Sequence, residues 1–440
     1  MALNLPYIDL QPDLSDVVND VCQQVVTADQ FWLSVYKLGC SSVHTRIRLS
    51  HEQGQEASWQ VCADGEPFEG LSIDAVLDRQ GRSLSFITPA MTGIVVTCDS
   101  LGVHGTVCRL PSRVHPTVSK QLLSFDVTLL PESTFVLGGP DGSLFARSLA
   151  PAGLRGLKAL QGHLGDITSS TFFPSGEVLL STSSDLSARV WSAQTGACPR
   201  VLKGHTRGLT CSAIVREGKI VLTASFDQSI KLWRLADGVC MATVQLQQDE
   251  VVLRIVIVHR DSAGPPPDGH EAIVPEERKG LVGLLAICAT RNGSIIIVNL
   301  ATAVVERRLS TGSQTAVDAL ACNESTGHVL LGLRNGQLQL WDPHTTQDGA
   351  HLLTLCRNDA GINDIAHDAA TDRWLIAGAD GLAYSVDLGS SPSGFQPRVT
   401  SEWAGCSIDT LVAIKPTVQG TFVASKTQGI RHYSSYAPTD

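Results

Sequence analysis

The sequence is poor in most features that would point to chemistry. Its twelve cysteines are scattered singly and no Cys-x-x-Cys pair occurs. That argues against a zinc site and against a disulfide framework, and implies a reducing compartment. Cys98, Cys288 and Cys322 stand within apolar runs, where cysteine acts as a small hydrophobe. No stretch approaches the ~18 apolar residues of a membrane-spanning helix, and the start, MALNLPYIDL, lacks the basic and long apolar regions of a signal peptide. Basic residues are in deficit, 33 Lys and Arg against 43 Asp and Glu, for a net charge of −10. With aromatics at only 5%, that balance disfavours a nucleic-acid partner. Gly-x-Ser-x-Gly, His-Glu-x-x-His, P-loop and Gly-x-Gly-x-x-Gly patterns are all missing. We therefore expect no catalytic residues, no metal and no cofactor, and neither nucleic acid nor membrane as partner.

What is present is a globular chain. Hydrophobic residues make up 43% and charged residues 17% of 440, enough to bury a large core and to form more than one domain. The acidity is uneven: residues 1–110 hold 13 Asp and Glu against 6 Lys and Arg, which is −7 of the total −10.

The organising stretch runs from Gly162 to Trp233. Two copies of one pattern lie head to tail, each with a Gly-His, a Ser two residues before an Asp, and a Trp six residues after that Asp. His163 precedes Trp191 by 28 residues, His205 precedes Trp233 by 28, and the period is 42. Such a period with Gly-His and a strand-final Trp is the signature of WD-type β-propeller blades. Each copy reads as strands joined by tight turns, with an apolar strand before the Asp and an alternating strand after it. Ser, His and Asp together resemble a nucleophile triad, but the set recurs at identical spacing and ends in a Trp without a catalytic role. We read His163, Ser183, Asp185, Trp191 and His205, Ser225, Asp227, Trp233 as two structural tetrads, the Asp accepting from the His ring, the His bonding the Ser, and the Ser accepting from the indole N–H.

The strand–turn–strand element recurs where Gly-His and Trp are lost. Its turns are centred on Asp141, Asp185, Asp227, Asn292, Asn335, Asp380 and Gln428, at spacings of 44, 42, 65, 43, 45 and 48 residues. Seven units of about one period predict a seven-bladed propeller over 101–440. The long spacing contains His259–Gly280, a polar Pro/Gly-rich insertion. In the fifth unit Trp341 remains, but Gly312-Ser313 replaces Gly-His and Leu333 fills the Ser position; the fourth and sixth have Val298 and Val386 for Trp. These units are expected to hold by apolar packing alone. The last strand, Gly429–Tyr433, leaves no room for an outer strand, so an earlier segment, Gly105–Leu110, is expected to supply it, which would set the N-terminal domain beside the seventh blade.

Residues 1–100 lack the repeat and read as a small acidic α+β domain. A helix capped by Ser15 would carry Val17, Val18, Val21 and Val25 on one stripe. Strands are expected over Phe31–Leu38, Thr45–Leu49, Ser58–Cys62 and Ser83–Thr88. The fold class is thus mainly β, a seven-bladed WD-repeat β-propeller preceded by a small α+β domain.

The segment Phe172–Trp191, FFPSGEVLLSTSSDLSARVW, followed in the next unit by GLTCSAIVREGKIVLTAS, resembles the proteasomal ATPase-associated factor family. The leading non-propeller domain and the long polar insertion after the third blade are similar to that family as well. The resemblance implies a non-enzymatic assembly chaperone, cytoplasmic and nuclear, monomeric before it binds the C-terminal domain of a proteasome regulatory-particle ATPase subunit. The contact face it implies is the one lined by the loops entering the inner strands and by the tight turns: Leu164, Asp166, Leu186, Arg207, Gln228, Asp318 and Asp364. Asp13, Asp16 and Asp20 of the acidic domain would meet Lys or Arg of the ATPase. The rival expectation is a WD-repeat scaffold or substrate receptor in a ubiquitin ligase or in ribosome assembly.

Overall fold

The structure is a computed structural model and describes residues 2–23, 25–52, 58–64, 71–77, 91–116, 121–131, 133–149, 157–215, 218–260, 275–345, 351–391, 394–405 and 409–434. The expected strand Ser83–Thr88 and residues 261–274 of the insertion lie outside the described residues. The chain is mainly β and its repeating element is a four-stranded antiparallel sheet, the blade of a β-propeller. It divides into two compact units.

One unit comprises Thr117–Thr354 and Gly361–Ala369. Its first three complete sheets are Ser124–Thr128, Thr134–Gly138, Leu144–Ser148 and Lys158–Ala159; then Ile167–Phe172, Val178–Ser183, Ser187–Ser192 and Arg200–Lys203; then Leu209–Val215, Ile220–Ser225, Ser229–Arg234 and Val239–Gln245. A fourth joins Val252–His259, Leu284–Thr290, Ser294–Asn299 and Val304–Ser310. Val317–Cys322, Val329–Leu333 and Gln337–Trp341 begin the next. Side chains alternate between the two faces of each central strand, and both faces are covered. Leu179 packs with Val136, Leu144 and Ile167, whereas its neighbour Leu180 packs with Leu209, Val221 and Trp233. Likewise Ala286 and Cys288 pack toward Leu222 and Leu232, while Leu285, Ile287 and Ala289 pack toward Val317 and Leu331. Burial on both faces is why these strands read as continuous runs of apolar and small residues. Near the start of several inner strands the register slips by one residue, between Ile167 and Ser169, Leu209 and Cys211, Val252 and Arg254, and Val317 and Ala319, a β-bulge recurring with the repeat.

The other unit comprises Met1–Pro116, Leu355–Ala360 and Ala370–Asp440. Pro6–Leu10, Ala28–Lys37, Val43–Glu52 and Ser58–Asp64 form an antiparallel sheet. Ile47 and Leu49 face the core while Arg46 and Arg48 are exposed, as strand alternation requires. The helix Leu14–Cys22 packs on this sheet through Leu14, Val17 and Val18. Two expectations for it are corrected. Asp13, not Ser15, occupies the N-cap, and Val25 lies beyond the helix and is exposed, because the helix ends at Cys22 and the turn after it carries Val25 off the apolar stripe.

The closing strand is also corrected. Val103–Arg109, which contains most of Gly105–Leu110, pairs antiparallel with Met91–Cys98 and parallel with Arg398–Trp403, in the register Ser401↔Val107 and Trp403↔Arg109. Both of its edges are therefore used. The next extended segment, Arg113–His115, takes the free edge of Ile430–Ser434 instead, with Arg431↔Val114. Pro111 separates the two, its fixed geometry ending the first strand. The N-terminal domain is thus joined by backbone pairing to the outer strand of the sixth repeat, not to the seventh.

Candidate interaction face

The two full repeats build identical hydrogen-bond chains. His163 Nδ1 lies 2.7 Å from Asp185 Oδ2 and its Nε2 lies 2.8 Å from Ser181 Oγ, to which the Trp191 indole N–H also donates at 2.8 Å. In the next repeat His205 Nδ1 lies 2.8 Å from Asp227 Oδ2, and Thr223 Oγ1 receives the Trp233 indole at 2.8 Å and lies 2.8 Å from His205 Nε2. A carboxylate only accepts, so Nδ1 carries the proton; the hydroxyl then donates to Nε2 and accepts from the indole. Burial pushes both imidazoles below their ordinary pKa of 6.5, more than the Asp partners raise them, so the rings are neutral at physiological pH. Burial would raise the Asp185 and Asp227 carboxyls, but donors outweigh it and hold both below 3.8. For Asp185 these are Ser187, His163 and the Leu164 N–H.

The hydroxyl in each chain is therefore Ser181 or Thr223, and the assignment of Ser183 and Ser225 is corrected. Trp191 pairs across the ladder with Leu179, so Ser181 is its same-face diagonal neighbour. Ser183, two residues further on, stands at the turn. It donates to the Gly165 carbonyl at 2.8 Å and accepts the Asp185 N–H at 3.1 Å. Ser225 does the same with the Arg207 carbonyl and the Asp227 N–H. The glycine of each Gly-His has a steric reason: a Cβ on Gly162 or Gly204 would meet the indole of Trp191 or Trp233 at 3.2 Å.

The fifth repeat is not held by apolar packing alone. The Trp341 indole donates to Gln339 Oε1 at 3.2 Å, and Gln339 Nε2 donates to the Thr311 carbonyl at 3.1 Å. Gln339 is buried, so a residue from the strand itself replaces the missing hydroxyl. The turn motif persists more widely than the tetrad. Asp185, Asp227, Asn292, Asn335 and Asp380 each accept the N–H of the residue two further on, an Asx-turn.

The tight turns of the two full repeats come together on one surface. The Leu164 N–H donates to Asp185 Oδ2 at 3.1 Å, and the Thr206 N–H to Asp227 Oδ2 at 2.9 Å. Gly208 packs on Ser184, where a Cβ would come within 3.2 Å of the Ser184 Cα, and its carbonyl accepts the Phe226 N–H at 3.0 Å. Leu164, Asp166, Leu186 and Arg207 are exposed, and Gln228 is half-buried. Asp166 also accepts the Asp141 N–H at 3.2 Å. Asp318 and Asp364 are only partly exposed, and Asp318 is held by Arg334 at 2.8 and 2.9 Å, so much of its charge is already answered. Asp13, Asp16 and Asp20 are exposed on or beside the helix Leu14–Cys22 and belong to the other compact unit. Phe226 is exposed among the turn residues; the sequence gives no sign of this, because there it stands as an ordinary turn-flanking position.

The sequence also hides a buried polar cluster in the unit that contains the N-terminal domain. Arg357 Nη2 donates to Glu402 Oε1 at 2.8 Å, both side chains being buried, and the same oxygen accepts the Ile8 N–H at 2.9 Å. The guanidinium carbon lies 4.1 Å from the Tyr384 ring centre and 5.1 Å from that of Tyr7. Burial lifts the Glu402 carboxyl above 4.5 against the pull of Arg357. Among the described residues, no group of three or more His, Cys, Asp and Glu is placed to hold a metal.

Comparison with known proteins agrees with the repeat. The WD domain, G-beta repeat model matches residues 155–192 and 196–234. The chain is also similar to the 26S proteasome regulatory subunit RPN14 of Saccharomyces cerevisiae, 48% identical over 40 residues, which is 9% of this chain and 10% of that protein. The match thus spans about a tenth of the relative's length. The chain carries WD repeats, and WD repeats build protein-interaction scaffolds.

Proposed function

We propose that this chain is a non-enzymatic assembly chaperone that binds the C-terminal domain of an ATPase subunit of the proteasome regulatory particle while the base is put together. The observation that carries the reading is the 40-residue similarity to a protein named as a proteasome regulatory subunit. The exposed, mutually packed turns of the two full repeats support it by offering a contact surface. In this reading the seven strand–turn–strand units form seven blades, residues 1–100 act as an acidic accessory domain, and the protein works as a monomer in cytoplasm and nucleus. Asp13, Asp16 and Asp20 steer a basic partner, which affects association rate and specificity more than final affinity.

Affinity purification of the tagged full-length chain followed by mass spectrometry tests the reading. Recovery of regulatory-particle ATPases is expected. Recovery of a cullin adaptor or of pre-ribosomes in their place would assign the chain to another scaffold. The Asp13→Lys, Asp16→Lys, Asp20→Lys variant should associate about tenfold more slowly at low salt, and the difference should shrink as salt is added. Equal association rates for the two proteins would remove the acidic helix from the interface.

A further inference from the structure

The seven turns named above, all within the described residues, have one slot in common, the residue after the central Asp, Asn or Gln, and its backbone is left-handed. Five carry glycine there: Gly142 (φ 75°), Gly293 (φ 83°), Gly336 (φ 79°), Gly381 (φ 83°) and Gly429 (φ 106°). The two exceptions are Leu186 (φ 68°) and Gln228 (φ 63°), in consecutive repeats. A branched, bulky side chain in this region is strained where glycine is not. Leu186 is not part of the buried core that could reward that strain, being 41% exposed. Strain kept where the scaffold could discard it points to a role outside the fold.

The neighbours of Leu186 are unusual in the same way. Leu164 is 88% exposed and Phe226 39% exposed. The Leu164–Asp185 and Phe226–Gly208 hydrogen bonds and the packing of Gly208 on Ser184 bring these three turns together. Single exposed hydrophobes mean little, but exposed hydrophobes on adjoining turns, bordered by charge, mark a contact site. Asp166 and Arg207, both exposed, stand beside it in the loops that precede the inner strands.

We propose that Leu164, Leu186 and Phe226 form the apolar anchor of the interface, and that its occupant is an apolar patch on the ATPase C-terminal domain bordered by a basic residue that meets Asp166 and an acidic one that meets Arg207. This deepens the chaperone reading and rests on it. Buried apolar anchors govern dissociation, whereas the acidic helix would govern encounter.

The test uses full-length protein titrated with each isolated regulatory-particle ATPase C-terminal domain, at low and at high salt. Leu186→Gly is the informative variant because two readouts should move in opposite senses. Relief of the left-handed strain should leave the melting temperature equal to or above that of the wild type, while the Kd should rise about tenfold. Leu164→Ala and Phe226→Ala should weaken binding comparably, and all three losses should persist at high salt. If the wild-type chain binds none of the domains, the chaperone reading falls and the anchor with it. If the wild type binds one of them and the triple variant binds as tightly, the anchor alone is overturned. The anchor is overturned too if sedimentation shows the wild type to be a dimer that Leu186→Gly dissociates, since the patch would then be covered by a second copy.

Discussion

Replacing Thr223 with Val tests the shared-hydroxyl account most directly. The Thr223 hydroxyl is fully buried and lies 2.8 Å from both the Trp233 indole nitrogen and His205 Nε2. Valine nearly keeps the shape but leaves one buried donor and one buried acceptor without a partner. Each such orphan costs about 1–3 kcal/mol, so the substitution should cost about 2–6 kcal/mol if the two add. They add incompletely, because one oxygen serves both groups. A chain with two compact units need not unfold in one step, so the measurement should be local: amide hydrogen exchange over Ile220–Ser225, read as an opening free energy. In a Trp233→Phe background the indole donor is gone, and the cost of Thr223→Val should fall by about half. A Thr223→Val opening free energy within about 0.5 kcal/mol of wild type, or a cost indifferent to Trp233→Phe, would show that the hydroxyl does not serve the indole and the imidazole together.

Two further outcomes follow from the same geometry. His163 and His205 have folded pKa values below 6.5, so the unfolded chain binds more protons just below that pH; their contribution should be complete above pH 6.5 and decline as pH falls through the folded values. The Asp185 and Asp227 carboxyls lie below 3.8, so a second loss should begin below that pH, and the local opening free energies of Val178–Ser183 and Ile220–Ser225, followed from pH 8 to pH 3, should fall in these two windows; a flat profile between pH 7 and pH 5 would contradict the neutral imidazoles. Arg357→Ala leaves Glu402 buried and unpaired, which should cost about 3–5 kcal/mol and accelerate exchange of the Ile8 amide, which donates to that carboxylate; unchanged Ile8 protection would show that the pair does not hold the first strand.

Much of the architecture is legible because it follows from local rules repeated along the chain. Strand alternation places Ile47 and Leu49 inward, and two-sided burial explains the apolar runs at Val178–Ser183 and Ile220–Ser225. The turn residues reveal themselves because left-handed backbone selects Gly, and Asx-turns select Asp or Asn. The helix stripe holds through Val21 and fails at Val25, where no breaker marks the end of the helix.

The repeat, its period, the turn positions and the pairing of His with Asp are readable from the chain alone, since each recurs at a fixed sequence separation, 22 residues for the His–Asp pairs. Which hydroxyl the indole reaches depends on the folded sheet, because Ser181 and Ser183 share a strand face and cross-strand register selects between them. That Arg113–His115 takes the edge of the last sheet likewise depends on which edges other strands have already occupied. Arg357 and Glu402 stand one repeat apart, 45 residues, but that the two are buried against each other, and that Leu164, Leu186 and Phe226 lie exposed on adjoining turns, appears only when burial and exposure are known.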